Sequence, residues 1–595
     1  MIAADRPFVL LDDARDQASA CARLYRAPVR TVVARAPGEV AAALDMVRAA
    51  TAAGLHAAGW LAFEAGHALE PKLAGRGALG AGEPLLWFGL FEAVELIAPE
   101  RVAALLPDPA GAWAAEPVPL VTQAAYAGAF ACVQALIAAG DLYQVNLTYP
   151  ARVAVAGDPR ALYAGLRERA RAGFGALVWT GEAWLLSLSP ELFFTLADGV
   201  ITTRPMKGTA ARAPTAALDR AAAERLAVDP KQRAENLMIV DLLRNDLSRV
   251  AVAGSVKVPA LFTVETYPSL HQMTSTVTAA LAPGRDAVDV LAHLFPCGSV
   301  TGAPKIRATE VIDEVEAGPR GVYTGAIGRI DAGGGAAAFN VAIRTLRLPA
   351  DGGEAAIGLG SGIVADSLLD AEWAECRAKG VFVASEQQFD LIETMLFDPE
   401  EGLMRLERHL ARLKASAELF RFAFNRHTTR NELQAATFRL RVAAKVRLVL
   451  APSGAMAIEV GSLPVTSPGP MPVALVARRL PAGDLRLLHK TTAREAHEAA
   501  RANGRTAEVV MVDEEGFVTE GSWSTVFVQR GEELVTPPLS RGLLPGVLRA
   551  ELIEEGRAIE GEVRPEDLAN GFWLGNAVRG LWPAVLVADE EDTPL

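Results

Sequence analysis

AKGVFVASEQQFDLIETM, residues 378–395, is the stretch on which the architecture turns. Its first residues continue an Ala-rich helical pattern, a polar SEQQ follows, and a strand pattern starts at Phe389. A helical period that dies in a polar run and restarts as a strand predicts two domains, residues 1–385 and 386–595. At 595 residues the chain is too long for one core. The part beyond the boundary, about 200 residues, is enough for a domain of its own.

Upstream, short β-branched or aromatic runs (LLSLSPELFFTL, GAIGRI, AFNVAIRTLRL) alternate with Ala-rich helical stretches and Gly/Pro loops. The prediction is a large mixed α/β (α+β) domain of sheets flanked by helices. Downstream come a helix (LMRLERHLARLKASAELF), strands (KVRLVLAP, PVALVA) and a hairpin. Hydrophobic residues make up 51% and charged ones 22%, a globular balance. Net charge is −13 and no Lys/Arg stripe stands out, so nucleic acid is not an expected partner. LLWFGLF is too short to span a membrane, and the N-terminus lacks the basic-then-apolar order of a signal peptide. A cytoplasmic protein is expected. Cys21, Cys132, Cys297 and Cys376 stand far apart, which predicts four reduced thiols.

In the first domain DPKQRAENLMIVDLLRNDLSR, residues 229–249, reads as a helix with Glu235, Met238 and Leu242 on one face. The glutamate is either half of a buried salt bridge, to Arg244 or Arg249, or a metal ligand. In ADSLLDAEWAECRAKG, Glu372 and Glu375 share a helical face. Carboxylates from two helices could meet around Mg²⁺. CGSVTGAPK leads into Pro304 at a helix start, so N–H groups near Thr301, Gly302 and Ala303 could bind a carboxylate. GLGSGIVADS, with Gly358, Gly360 and Gly362, reads as a loop that either only turns or lets backbone approach a ligand. Arg344, placed in the strand NVAIRTL, is either a bidentate carboxylate partner or a surface arginine.

GDLYQVNLT (140–148), SPELF (189–193), RPMKGT (204–209), AENLMIVDLLRNDL (234–247), GSVTGAPK (298–305) and GIVADS (362–367) together resemble the chorismate-utilising enzymes, and within them the aminodeoxychorismate synthases. The resemblance implies chorismate as substrate and Lys207 as a nucleophile that adds to the ring while the C4 hydroxyl leaves. Glu191 is implied as the acid/base, and Glu235 and Glu375 as Mg²⁺ ligands with Glu372 nearby. Tyr323, Arg344 and the backbone at Gly302 and Gly360 are implied to hold carboxylates. Gln232 stands where many relatives carry an acid, and Gln144 stands where chorismate-hydroxylating relatives carry lysine. No segment resembles a glutaminase, so ammonia is expected from a separate glutamine amidotransferase subunit.

In the second domain Lys490 lies just before an expected capping box, Thr492 with Glu495. AEVVMVDEEGFVTEGSWSTVFV reads as a hairpin turning at 513–516 with Glu520 at the end of its second strand. Pro545 and Gly546 sit at a predicted helix start. A lysine, a carboxylate and an anion cup are the contacts that pyridoxal 5'-phosphate needs. HLARL (409–413), TEGS (519–522), PGVLR (545–549) and GNAVRG (575–580) resemble the fold-type IV pyridoxal phosphate enzymes, which include aminodeoxychorismate lyases and aminotransferases. The resemblance implies Lys490 as the Schiff-base lysine, Glu520 at the ring nitrogen, Arg412 with the Val547 and Leu548 backbone at the phosphate, and a homodimer through this domain. Joined to the first domain, it implies amination of chorismate and then removal of pyruvate to give 4-aminobenzoate. A class IV aminotransferase with another substrate and a non-catalytic scaffold are the alternatives.

Overall fold

LLWFGLF is a strand, Leu86–Phe91, and its six residues are all buried. Alternate residues go to opposite faces, so Leu86, Phe88 and Leu90 join one core while Trp87 and Phe91 join another. The neighbouring strand His56–Leu61 divides in the same way, Ala57 and Leu61 against Ala58 and Trp60. A strand buried on both faces needs a layer on each side. The computed structural model describes residues 1–15, 21–76, 83–266, 270–386, 389–465 and 469–587.

The first unit comprises Met1–Leu106, Glu116–Ala154 and Tyr163–Ala384. One sheet runs through Gly302–Ala303, Gln144–Gly157, Glu354–Ile363, Thr345–Pro349, Ala183–Ser189, Phe174–Trp179 and Phe8–Asp12. The other runs through Met206–Ala211, Leu270–Ala280, Val200–Arg204, Leu192–Ala197, Ala337–Val341, Ala326–Ile330, His56–Leu61 and Leu86–Phe91. They share a core of Val9, Tyr25, Trp60, Trp87, Val178 and Leu185. Helices Pro37–Ala52, Pro230–Ser248 and Ala287–Leu294 cover the far face of the second sheet through Val40, Val240, Leu247 and Leu291. The expected layering of sheets and helices is what the chain adopts.

The second unit comprises Pro107–Ala115, Val155–Leu162 and the chain from Ser385 onward. No local pattern announces the two short segments. Within this unit Asp108 pairs with Arg486 at 2.7 Å, and Trp113 packs edge-on against Phe420. A small antiparallel sheet is built on Leu391–Asp398, Ala444–Leu450 and Met456–Gly461. In the larger sheet Met471–Ala477 lies parallel to Glu508–Val512, with helix Glu495–Gly504 as the crossover between them. The predicted hairpin is present: Asp513 N–H donates to the Phe517 carbonyl at 2.8 Å, closing the turn between Glu508–Val512 and Val518–Gly521.

Thr492 does not cap a helix. Its hydroxyl accepts from the Asp390 N–H at 2.9 Å, and the helix begins at Glu495 with no side-chain cap. A tertiary partner has taken the capping oxygen. Among the described residues no helix is long and apolar enough to cross a membrane.

Candidate functional site

Lys207 lies in the strand Met206–Ala211, whose pairing with Leu270–Ala280 slips between Met206 and Thr209. The slip is a bulge made possible by Gly208 at φ +96. A Cβ there would meet Gln232 and Met273 atoms at 3.1–3.2 Å. Two side chains hold the bulged backbone. Asn236 donates to the Lys207 carbonyl at 3.2 Å, and Gln272 donates to the Gly208 carbonyl at 2.8 Å. Asn236 is itself fixed by the Ser275 hydroxyl at 2.6 Å. The bulge turns Lys207 toward a cavity of about 610 Å³.

Glu191, Lys207, Glu235, Glu372, Glu375, Tyr323, Arg344, Gly360 and Gly362 all line that cavity. Glu191, between strands Ala183–Ser189 and Leu192–Ala197, is 5% exposed and its Oε1 has no partner. Burial pushes its carboxyl up to about 7, with the Ser299 hydroxyl and the Lys207 and Lys379 charges offsetting part of the rise. Burial drives the Lys207 amine below its ordinary value, and the Lys379 ammonium adds to this while Glu191, Glu235 and Glu375 oppose it. Lys207 is partly exposed as a residue, but protein surrounds its amine.

Glu235 and Glu375 come from helices Pro230–Ser248 and Leu369–Ala378. Arg244 pairs with Asp241 and Arg249 with Glu70, so neither reaches Glu235. Glu372 accepts from Ser367 at 2.7 Å, and Glu375 pairs with Lys379 at 2.7 Å. Among the described residues no three His, Cys, Asp or Glu side chains form a ready-made metal cluster.

Three placements differ from expectation. Gly358, Gly360 and Gly362 are not in a loop but in the strand Glu354–Ile363, paired with Pro150, Thr148 and Asn146. Their spacing of two puts them on one face. A Cβ would strike the Tyr323 ring at 2.0 Å from Gly358, Thr148 at 2.5 Å from Gly360, and Gln144 Nε2 at 2.9 Å and Lys207 Nζ at 3.2 Å from Gly362. The Thr301 N–H already donates to the Gly298 carbonyl at 3.2 Å, and Gly302 pairs as a short strand with Val145. Neither Thr301 nor Gly302 faces the cavity; Ser299 and Val300 do. Arg344 follows the strand Ala337–Val341 at φ +50, outside any strand, with its side chain at the cavity.

Sequence reasoning missed Lys379, one helical turn beyond Glu375, which donates to the Gly360 carbonyl at 3.0 Å. Its i,i+4 spacing from Glu375 was the available signal.

The second unit holds a cavity of about 300 Å³ lined by Lys490, Glu520, Arg412, Val547 and Leu548. Burial brings the Lys490 amine down to about 7, helped by Arg412 and Arg494 and opposed by Glu393 and Glu520. Glu520 closes the strand Val518–Gly521; one oxygen accepts from the Leu544 N–H at 3.1 Å, and the other is buried without a hydrogen-bond partner. Helix Val547–Glu554 starts after Gly546, as expected, with no side-chain cap on its first N–H groups. Arg412 is fixed by a residue not foreseen. Glu393 takes two of its N–H groups at 2.8 and 2.7 Å, and a third goes to the Pro545 carbonyl at 2.9 Å. Glu393 also accepts from or shares a proton with His409 at 2.6 Å. The Arg412 and His409 charges hold its carboxyl down at about 2 against burial, which on its own would raise it. Arg412 keeps two N–H groups for an anion. An orphaned carboxylate oxygen, a near-neutral amine, an uncapped helix start and an oriented guanidinium fit pyridoxal phosphate.

Comparison with known proteins agrees with both halves. Residues 7–385 match the chorismate binding enzyme family, and residues 390–587 match amino-transferase class IV. The class IV fold implies pyridoxal phosphate. The chain is 46% identical over 255 residues to aminodeoxychorismate synthase component 1 of Salmonella typhimurium, covering 43% of this chain and 56% of that protein. It is 38% identical over 273 residues to the Bacillus subtilis protein of the same name, covering 46% and 57%. The chain thus spans about half the length of the curated relatives it matches. Anthranilate synthase component I from Streptococcus pneumoniae TIGR4 superposes with a TM-score of 0.52 at 25% identity, covering 64% of this chain and 93% of that one.

Proposed function

The chain belongs to the chorismate binding enzymes, and from that premise we propose that it makes 4-aminobenzoate in two steps, residues 1–385 performing the first and 386–595 the second. The reading rests on one observation: each unit has a cavity in which burial drives a lysine amine toward its neutral, nucleophilic form.

In the first step Lys207 bonds to the chorismate ring as the C4 hydroxyl departs with the proton of Glu191. Ammonia then bonds to C4 as the bond to Lys207 breaks. The sum is chorismate and ammonia giving 4-amino-4-deoxychorismate and water. A Glu191 carboxyl held at about 7 can still carry that proton near neutral pH. Tyr323, Arg344 and the backbone of Gly360 and Gly362 would orient the carboxylates, with Lys379 added to them. Mg²⁺ fits the donor set: Glu235 and Glu375, with Glu372 beside them, offer hard oxygens. An ion that takes one or two carboxylates and fills its octahedron with water and substrate does not need a ready-made cluster.

Burial pushes the Cys297 thiol up to about 12 and also raises Cys376, the opposite of what a glutaminase nucleophile needs. Cys297 and Cys376 are thus poor nucleophiles, and since no segment resembles a glutaminase, ammonia is assigned to a separate glutamine amidotransferase subunit.

In the second step pyridoxal phosphate, when bound, withdraws electrons from the amine-bearing carbon. Lys490 would hold the cofactor and then carry the C4 proton. Glu520 would meet the ring nitrogen, and Arg412 with the Val547 and Leu548 amides would hold the phosphate. Losing that proton and breaking the ether bond leaves an aromatic ring and releases pyruvate. Supplying the full chain with chorismate, ammonium, Mg²⁺ and pyridoxal phosphate tests the reading. Equal amounts of 4-aminobenzoate and pyruvate are expected, and anthranilate or unchanged chorismate would overturn it.

A further inference from the structure

The cavity around Lys490 holds more positive charge than the cofactor accounts for. Arg412, Lys445, Lys490, Arg494 and Arg579 line it, and Glu520 is the one carboxylate among its described lining residues. Lys490 and Arg412 are taken by the cofactor contacts, which leaves three cations. Arg494 gives one N–H to the Ser522 carbonyl and keeps the rest of its fork. Lys445 and Arg579 have no carboxylate partner among the described residues.

Arg579 is nevertheless held in place. The Asn576 side-chain oxygen accepts from the Val578 and Arg579 N–H groups at 3.0 and 2.9 Å, which fixes the turn between strands Phe572–Asn576 and Gly580–Leu586. Its guanidinium lies 4.8 Å from the Trp523 ring centre and 5.7 Å from that of Trp582, and the two indoles stack at 5.3 Å. Cation–π contact orients a guanidinium without neutralising it, so the charge stays available to a ligand anion. Glu520 and Glu508 already offset part of the Arg494 charge, and a substrate with one carboxylate would answer only one of Lys445 and Arg579. A substrate with two would answer most of the excess, and each bond to a guanidinium would be charge-assisted.

We infer that Arg579, with Arg494 and Lys445, forms a two-carboxylate recognition site that selects a dicarboxylate amine over monocarboxylate amino acids, Arg579 being a specificity-determining residue. The inference rests on the proposed reading of the second unit and deepens it, because 4-amino-4-deoxychorismate carries two carboxylates.

The test uses the full chain loaded with pyridoxal phosphate and given 4-amino-4-deoxychorismate directly. Isophthalate and benzoate serve as dicarboxylate and monocarboxylate inhibitors, and quenching of tryptophan fluorescence reports their binding. In the wild type isophthalate should bind at least about tenfold more tightly than benzoate. In Arg579→Met that preference should collapse and KM should rise roughly tenfold to a hundredfold with the cofactor absorbance unchanged, the worth of one charged hydrogen-bonding pair. An unchanged KM and unchanged preference would overturn the inference. Should Arg579→Met fail to hold the cofactor, Arg579→Gln decides: a collapsed preference with the cofactor absorbance intact supports the site, and a preference retained in full overturns it. A wild type that binds isophthalate preferentially but does not convert 4-amino-4-deoxychorismate would instead overturn the reading of the second unit, so the two failures are distinct.

Discussion

Lys207 and Lys490 are both pushed toward neutrality by burial, yet the charges around them run in opposite senses. Around Lys207 stand the carboxylates Glu191, Glu235, Glu372 and Glu375, with Lys231, Lys379 and Arg344 among them. Around Lys490 stand Arg412, Arg494, Arg579 and Lys445, with Glu520 the one carboxylate among the described lining residues and Glu393 behind Arg412. The first environment suits a cation brought in with the substrate, the second an anionic cofactor and an anionic substrate. Desolvation supplies the reactive amine in both, and the surrounding charge determines what that amine meets. The scaffolding differs too. A strand bulge at Gly208 aims Lys207, whereas Lys490 is tied through its carbonyl to the Ile392 N–H at 2.9 Å, one residue from Glu393, the anchor of Arg412.

The comparison breaks most readily at Lys490. Lys490→Ala should lower 4-aminobenzoate release by roughly a thousandfold or more, abolish the cofactor absorbance band and let 4-amino-4-deoxychorismate accumulate. Release at the normal rate would show that the second amine is not needed. Next, Glu393→Gln breaks a buried ion pair and should cost the second unit about 3–5 kcal/mol. Urea unfolding followed through the bound cofactor would measure it, and an unchanged midpoint would remove Glu393 from the account. Gly362→Ala puts a Cβ 3.2 Å from Lys207 Nζ and should slow the first step by roughly tenfold to a hundredfold without touching the second. Equal slowing of both steps would contradict the separation of the two sites.

The pH profiles sharpen the contrast with the smallest effects. Glu191 is raised to about 7, so its proton is present below that value and lost as pH climbs through it. First-step kcat/KM should therefore decline on the alkaline side, by about tenfold per unit well beyond the midpoint. Lys490 is lowered to about 7, so its free amine is present above that value and lost as pH falls. Attachment of pyridoxal phosphate to the empty chain, followed by absorbance, should slow on the acid side instead. A first-step profile with no alkaline limb, or an attachment rate with no acid limb, would contradict the assigned values.

Periodicity and turn chemistry made much of this visible in the sequence. The hairpin at 513–516 and the helix start at Gly546 are local features that carry their own signals. The misplaced residues depend on distant partners. Thr492 is bound to Asp390 rather than to a helix, the Thr301 N–H is taken by Gly298, and glycines read as a loop are held straight by ten residues of Gln144–Gly157. Glu393 has no local signature in the strand Leu391–Asp398, and its partners Arg412 and His409 reach it from helix Leu406–Phe420. Segments 107–115 and 155–162 join the second unit through Asp108–Arg486 and similar contacts, which have no short-range signature.

The central claim is that the first unit carries out its amination through a covalent bond to its own lysine. It is tested most directly by product analysis of full-length Lys207→Ala, given chorismate and ammonium in one assay and 4-amino-4-deoxychorismate in a parallel one. The account predicts that no 4-amino-4-deoxychorismate forms from chorismate while the supplied intermediate still yields 4-aminobenzoate. Formation of 4-amino-4-deoxychorismate at the wild-type rate would contradict it.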